Sequence, residues 1–282
     1  MEKIGLLIDS TTMTRNDLND YDFIKRVQLK VHVDDRHYDE KDISQEQMID
    51  YLTHGHKLLT SQPSPAEFLN AYKEFFDEGY TSVITIVLSH KVSGTYQSAL
   101  IGKSMIDFDL EVEVHAPNTA SFGVALGVKQ IAETIKKGES FQNVIARYHS
   151  VFKNPTVMFT LGDLMNLFRG GRLNRVQALL GKILRVKPVI EMIDGKLELV
   201  RKERTNVACM DFFMAKIEEY VSKYKKVYLD IIQLNMPEWG SKLLEEVKSR
   251  FSAIDIHITE FLTPVFYTHL GDKGFGIAMV AE

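Results

Sequence analysis

Small hydroxyl side chains collect where a buried strand is predicted to end. The stretch VITIVLSHKVSGTYQSALIG, from Val83 to Gly102, begins with six apolar residues that are typical of a buried strand. Ser93, Gly94 and Thr95 follow, where an amphipathic helix is predicted to begin. A helix N-terminus presents unpaired N–H groups and partial positive charge, glycine permits close approach, and hydroxyls add donors. The stretch therefore predicts an anion-binding site.

Three further segments have the same chemistry, namely DSTT after the first apolar run, TSQPS with Thr60 and Ser61, and PNTAS before a later helix. A helix cap needs one hydroxyl, so several hydroxyls in one loop favour a ligand over a cap alone. The lysine-bearing glycine loop that typically binds a triphosphate does not occur in the sequence. A carboxylate or a monophosphate is therefore the expected anion.

The elements that position these loops alternate between strand and helix in the first half of the chain. This order predicts a mostly parallel sheet with helices on both faces, with ligands at the carboxyl ends of its strands. After Pro155 the pattern changes, and Asp194-Gly195 between two apolar runs predicts a hairpin in a mixed sheet. We expect two α/β domains, covering residues 1–154 and 155–282.

Local patterns predict several individual elements. Val27 to Val33 alternates apolar and polar residues, as expected for one strand with a wet face. Ser64, Pro65 and Glu67 form a capping box that predicts a helix after TSQ. Residues 161–168 are predicted to form a short helix after the strand at 156–160.

Composition limits the function classes. The 282 residues carry 34 basic and 38 acidic side chains, for a net charge of −4, which disfavours a protein that coats nucleic acid. Cys209 is the only cysteine and excludes an intramolecular disulfide, and no metal-ligand set is evident. No apolar run approaches the roughly 18 residues that span a bilayer, and no signal peptide pattern opens the chain. A cytoplasmic protein is expected.

A basic segment runs from Arg169 to Arg204, with ten basic and four acidic residues. Two interpretations remain open. The charges belong to ordinary solvated faces, or they form a surface for phosphate, an acidic partner or anionic lipid. In FRGGRL, Arg169 and Arg172 flank two glycines, which places guanidinium groups close to exposed backbone donors.

Four motifs occur together in one order, namely IDSTT, TSQPSPAEF, LSHKVSGTYQSA and TLGDLMNLFRGGRL. In this combination the chain resembles the DegV family over most of its length. The resemblance implies a long-chain fatty acid such as palmitate or oleate, held between two α/β domains with its tail in an apolar tunnel. By motif, Thr60 and Ser93 resemble the carboxylate contacts, with Ser61 and Gly94 beside them and His269 close to the same headgroup.

The resemblance also implies a partner and a role. Many such proteins are substrate-binding subunits of a fatty acid kinase: they present the acid to a separate ATP-dependent subunit and carry the acyl phosphate toward phospholipid synthesis. Arg172 and Arg201 resemble basic positions that serve this exchange. The chain would then hold no catalytic residue, cofactor or metal, would visit the membrane surface transiently, and would bind no nucleic acid. Its late motif, HLGDKG, lacks the proline usual in the family.

Two alternatives stay open. Ser93 together with a histidine is a candidate nucleophile for a stand-alone acyl hydrolase or transferase, although the sequence has no G-x-S-x-G motif. The basic segment is also compatible with an adaptor at a membrane surface, a role that a lipid carrier can combine with binding.

Overall fold

The computed structural model describes residues 2–12, 16–173, 186–251, 254–259 and 262–282. Its strands are β1 (Ile4–Asp9), β2 (Ile24–Val27), β3 (Lys30–Val33), β4 (Arg36–Asp39), β5 (Leu58–Ser61), β6 (Ser82–Ile86), β7 (Glu111–His115), β8 (Thr156–Leu161), β9 (Lys187–Ile193), β10 (Lys196–Glu203), β11 (Val227–Leu234), β12 (Asp255–Ile258) and β13 (Gly274–Ala281). Its α-helices are α1 (Gln45–Thr53), α2 (Pro65–Asp77), α3 (Thr95–Ser104), α4 (Phe122–Lys136), α5 (Phe141–Val151), α6 (Met165–Arg169), α7 (Asn206–Lys223), α8 (Pro237–Arg250) and α9 (Pro264–Leu270).

A parallel sheet forms the first half of the fold, with the strand order β2-β1-β6-β7. Alternate residues of β1 face opposite sides, so Leu7 packs with α2 and α3, whereas Leu6 and Ile8 pack with α4. Both faces of the sheet are therefore covered by helices. This arrangement confirms the predicted parallel α/β sheet.

A mixed sheet forms the second half, with the strand order β10-β9-β8-β13-β11-β12. Its neighbouring strands are antiparallel except for the parallel pair β11–β12. Asp194 and Gly195 both have positive φ and join β9 to β10, as the hairpin prediction requires. Helices α7 and α8 pack on one face of this sheet, and the predicted mixed α/β sheet is confirmed.

Helix α4 lies between the two sheets. Its buried side chains contact β8, β11 and β13 and share one apolar core with the inner faces of both sheets. The division into domains 1–154 and 155–282 stays a prediction, because this shared core crosses the proposed boundary. The shared core also explains how an apolar cavity can form where the two sheets meet.

The strand predicted from Val27 to Val33 is two strands that belong to different sheets. β2 pairs with β1, whereas β3 turns away and pairs with β4 and β5 in a small antiparallel sheet. The ladder breaks at Leu29, whose N–H donates to Ser10 Oγ at 2.9 Å. The single-strand prediction was wrong because alternation of side chains does not reveal which neighbour the backbone pairs with.

Two other segments differ from their predicted bounds. The first two residues of TSQPS, Thr60 and Ser61, end strand β5, which pairs with β3. The helix predicted at 161–168 begins only at Met165, because Leu161 completes β8 in register with Gly274.

Phe75 of α2 gives a test of the helix packing on the parallel sheet. Its ring is fully buried and lies against Gly5 of β1, where a side chain would clash with it. Phe75→Ala is expected to lower the free energy of unfolding by about 3–5 kcal/mol, because it leaves a large cavity. Urea denaturation measures this loss. Phe76→Ala, on the half-buried side of the same helix, is the control and should lose clearly less.

Candidate functional site

A cavity lies between the two sheets, close to the N-terminus of α4 and beside α9. Most of its wall is apolar. The contributing side chains include Leu88, Val157, Phe159, Met192, Ile232 and Phe266.

Polar side chains meet on one part of this wall. Thr60, Ser93, Arg172 and His269 all line the cavity. The Thr60 hydroxyl and the His269 Nε2 atom lie 2.9 Å apart, within hydrogen-bond distance. The structure thus brings together residues from four separate segments of the chain, three of which were predicted to contact a carboxylate.

His269 is held as a neutral imidazole. Burial, together with the smaller effect of the nearby positive charge of Arg172, lowers its pKa to about 4. Its Nδ1 atom is buried and has no hydrogen-bond partner among the described residues. Gly170 lies against this atom, and a Cβ there would come within 2.7 Å of Nδ1. Gly170 of FRGGRL therefore makes room for the imidazole.

The tautomer of His269 determines whether the Thr60 hydroxyl donates its proton to the imidazole or to an anion in the cavity. A hydrogen on Nδ1 would be buried without an acceptor, which costs more than leaving a lone pair there. With the hydrogen on Nε2, the imidazole donates to the Thr60 oxygen. The Thr60 hydroxyl can then donate its own proton to an anion in the cavity.

Ser93 lies at the start of α3, although it is not the capping residue. Gly94 occupies the N-cap, and the Ser93 hydroxyl lies 2.9 Å from the Thr95 hydroxyl. Gly94 also lets Gln62 pack closely, since a Cβ at Gly94 would come within 2.4 Å of the Gln62 oxygen. Gln62 donates to Ser98 at 3.3 Å. The packing of Gln62 against Gly94 brings the TSQP and VSGT motifs together.

Arg172 connects the polar end of the cavity to the first half of the chain through hydrogen bonds. Its Nε donates to the Val92 carbonyl at 3.3 Å, and its Nη1 donates to the Gly170 carbonyl at 2.5 Å. Burial lowers the pKa of this guanidinium, which nevertheless stays charged near neutral pH. A positive charge is thus available beside Ser93 and His269.

Two of the predicted contacts lie elsewhere. Ser61 neighbours Thr60 on β5 but points to the opposite face, where its hydroxyl lies 2.8 Å from His32 Nε2. Arg201 is exposed on β10 and stacks over the Phe212 ring, 5.0 Å from its centroid, so it does not line the cavity. Arg175, Lys182 and Arg185 of the basic segment lie outside the described residues.

The first hydroxyl loop, DSTT, serves the fold. Asp9 accepts hydrogen bonds from the backbone N–H of Thr11 at 3.0 Å and from that of Leu88 at 2.7 Å. It thereby joins the ends of β1 and β6. Burial raises the pKa of Asp9 to about 6, although these hydrogen bonds favour its ionised form.

Ser121 is a cavity residue that the sequence did not single out. It precedes α4 with φ at 50°, its side chain is 3% exposed, and its hydroxyl has no partner among the described residues. The segment PNTAS was the available signal, since it is a hydroxyl loop at a helix start. Its individual residues could not be ranked without the position of the cavity.

Searches for other kinds of site gave two negative findings over the described ranges. Within them, no group of three or more His, Cys, Asp or Glu side chains is arranged to hold a metal ion. No helix in the described part of the chain is both long and apolar enough to cross a membrane.

Comparison with known proteins assigns the chain to a family. A family model described as "Uncharacterised protein, DegV family" matches residues 3–282. The chain belongs to the DegV family. A DegV domain-containing protein of Halalkalibacterium halodurans is 32% identical over 284 residues, covering 100% of both chains.

Solved DegV structures share the fold. The DegV family protein of Thermus thermophilus, whose structure is described as fatty acid binding, has a TM-score of 0.90 at 26% identity, covering 99% of this chain and 100% of its own. DegV of Bacillus subtilis, described as a fatty acid binding protein, has a TM-score of 0.88 at 26% identity over 100% of both chains. The resemblance inferred from the four motifs is therefore confirmed at the level of the family.

The neutral state of His269 in this DegV protein predicts a pH dependence of stability. The unfolded chain takes up a proton near pH 6.5, whereas the folded chain does so only near pH 4, so stability is lost as the pH falls below 6.5. Relative to His269→Gln, the wild type is expected to lose about 1.5 kcal/mol between pH 6.5 and 5. Urea denaturation across this range measures the difference, and parallel curves for the two proteins would contradict it.

Proposed function

We propose that this DegV protein binds a long-chain fatty acid, with the acyl chain in the apolar cavity and the carboxylate at Thr60, Ser93 and His269. It would present that carboxylate to a separate ATP-dependent fatty acid kinase and carry the acyl phosphate product. One observation carries the proposal: the apolar cavity between the sheets ends at clustered hydroxyl, imidazole and guanidinium groups. The fatty acid binding described for the T. thermophilus and B. subtilis proteins supports it.

The apolar wall accounts for affinity. Each buried methylene contributes about 0.8 kcal/mol, so a chain of about 15 carbons gains on the order of 12 kcal/mol before the entropy costs of binding. This hydrophobic gain does not depend on which way the acyl chain points along the apolar wall. The tail therefore supplies the binding free energy, and the polar end fixes the orientation of the ligand.

The polar end offsets the cost of burying the carboxylate. An unpaired buried carboxylate is strongly unfavourable, whereas hydrogen bonds to a charged group contribute about 1.5–3 kcal/mol each. Thr60 is oriented as a donor by His269, and Ser93 supplies a second hydroxyl at the start of α3. Arg172 adds a positive charge, so the ionised carboxylate is favoured over the neutral acid.

Access for a phosphoryl donor comes from the other side of the same residues. Thr60, Arg172 and His269 also line a depression whose lining includes Lys57 and Arg169. Basic side chains attract phosphate groups and stabilise the charge that develops during phosphoryl transfer. A kinase docked at this depression would reach the carboxylate without displacing the tail.

A second depression adjoins Arg172 and reaches the β9–β10 hairpin. It is lined by Lys91, Arg172 and Lys196 together with Glu198. These cations come partly from the basic segment noted in the sequence, and they extend the positive surface beside the polar end. Such a surface also suits the anionic membrane from which a cytoplasmic carrier would take its fatty acid.

The geometry does not favour the alternative in which Ser93 is a nucleophile. A serine nucleophile needs a base within hydrogen-bond reach. In the described residues the Ser93 hydroxyl pairs with Thr95, and the Nε2 atom of His269 faces Thr60 instead. A carrier that leaves the chemistry to its partner fits these contacts better.

Thr60 and Ser61 form a matched pair for testing carboxylate binding, because they are neighbours on β5 and face opposite sides. Thr60→Val keeps the shape of the side chain but removes the donor. We expect it to weaken oleate binding by about ten- to a hundredfold, the equivalent of one hydrogen bond to a charged group. Ser61→Ala should change affinity by less than about threefold.

Isothermal titration of delipidated protein with oleate measures both affinities, and native mass spectrometry of the purified wild type shows whether a fatty acid is retained. A wild type that ignores oleate and palmitate would end the proposal. Equal losses in the two variants would place the carboxylate away from Thr60.

Arg172 and Arg201 form the matched pair for testing the exchange with the kinase. Arg172→Ala is expected to lower the rate of acyl phosphate formation at saturating fatty acid by about tenfold or more, because it removes a charge beside the reacting carboxylate. Arg201→Ala removes the same charge from an exposed position that does not line the cavity. Rates are measured with a bacterial fatty acid kinase and ATP, and a larger loss in Arg201→Ala would reverse this assignment.

A further inference from the structure

A buried carboxyl lies at the start of α9, next to the cavity wall, without lining the cavity. Glu40 is 3% exposed, and its Oε1 accepts the backbone N–H of Val265 at 2.8 Å. Its Oε2 accepts a hydrogen bond from the Ser10 hydroxyl, and Ser10 Oγ in turn accepts the N–H of Leu29. Glu40 therefore joins the segment after β4, the turn after β1 and the start of α9.

The contact to Val265 replaces a missing helix cap. Thr263 is the N-cap of α9, but its side chain makes no capping hydrogen bond. The first N–H groups of a helix need acceptors, and an acidic group is favourable there. Glu40 supplies this acceptor from a distant part of the sequence, 225 residues away from Val265.

Helix α9 carries cavity residues along its length. Val265 and Phe266 line the apolar wall near its start, and His269 meets Thr60 near its end. The helix has only seven residues, so it has little intrinsic stability and depends on its contacts for its position. A contact that fixes its first turn also fixes the imidazole one turn later.

We propose that Glu40 is a positioning residue, which docks α9 against the first half of the fold and thereby holds His269 against Thr60. The proposal rests on the fatty acid binding proposed above for its effect on ligand affinity. Its effect on the docking of α9 itself does not depend on any ligand.

The docking should depend on pH. Burial raises the pKa of Glu40 to about 7; the charge of Asp9 at the end of β1 acts in the same direction, and the hydrogen bonds from Ser10 and Val265 oppose it. An undocked, solvated Glu40 would return toward its ordinary value of 4.5. The docked state thus binds the proton more tightly, and docking weakens as the pH rises from 4.5 through about 7.

Hydrogen exchange of ligand-free protein tests the docking. We compare the wild type with Glu40→Gln, which stays neutral, and follow the peptide covering α9 by mass spectrometry. The ratio of wild-type to Glu40→Gln exchange rates cancels the intrinsic effect of pH on amide exchange. We expect this ratio to rise about tenfold between about pH 6 and 8. A ratio that does not change with pH would overturn the proposal.

Glu40→Ala and Glu67→Ala provide the matched control. Glu67 also accepts a backbone N–H at a helix start, that of Ser64 at 2.7 Å, but on α2 and outside the cavity. At pH 7, Glu40→Ala should exchange faster throughout α9 and bind oleate at least about tenfold more weakly. Glu67→Ala should match the wild type in both measurements, and Glu40→Gln should restore most of the affinity.

The outcomes separate the two proposals. If the wild type does not bind oleate, the proposed function fails, while the exchange ratio still decides the role of Glu40. If the wild type binds oleate and Glu40→Ala binds it equally well, the positioning role fails and the proposed function stands. If Glu40→Ala does not fold, the pH profile of Glu40→Gln decides the question.

Discussion

The hydrogen bond between Thr60 and His269 joins two parts of the chain that are 209 residues apart, and the polar end of the cavity depends on it. One partner comes from a small antiparallel sheet and the other from a short helix late in the chain. Neither side chain alone provides an oriented hydrogen-bond donor for an anion. Together they place an oriented hydroxyl at the end of an apolar space, where an anion otherwise meets a prohibitive desolvation cost.

Burial controls the charge state of the groups around this point. His269 stays neutral because a buried imidazolium beside Arg172 is unfavourable. Glu40 and Asp9 hold protons more tightly than exposed carboxyls do, although backbone N–H groups bind both of them. Arg172 keeps its charge because the guanidinium pKa is far above neutrality. The polar end of the cavity therefore carries the positive charge of Arg172, whereas the groups around it are neutral or hydrogen-bonded within the protein.

Close packing supplies the remaining geometry. Gly170 leaves space for the imidazole, Gly94 leaves space for Gln62, and Gly271 ends α9 with φ at 78° and ψ at −162°, a conformation restricted essentially to glycine. Gly271 belongs to the HLGDKG motif, so this turn forms without the proline usual in the family. At the polar end the Ser93 hydroxyl pairs with Thr95, and the imidazole of His269 faces Thr60.

The sequence alone determined the parallel and mixed sheets and the family, because strand–helix order and the four motifs are local signals. Hydroxyl-rich loops pointed to Thr60 and Ser93, whereas His269 was named only through the family resemblance. The sequence misjudged Val27 to Val33 and placed Ser61 beside Thr60, because strand pairing and the face of a side chain are set by distant partners. Only the tertiary structure revealed Ser121, the separation of Arg201 from the cavity, and Glu40 at the start of α9. These depend on which segments the shared core brings together, and the free energy of that core is not encoded in any single motif.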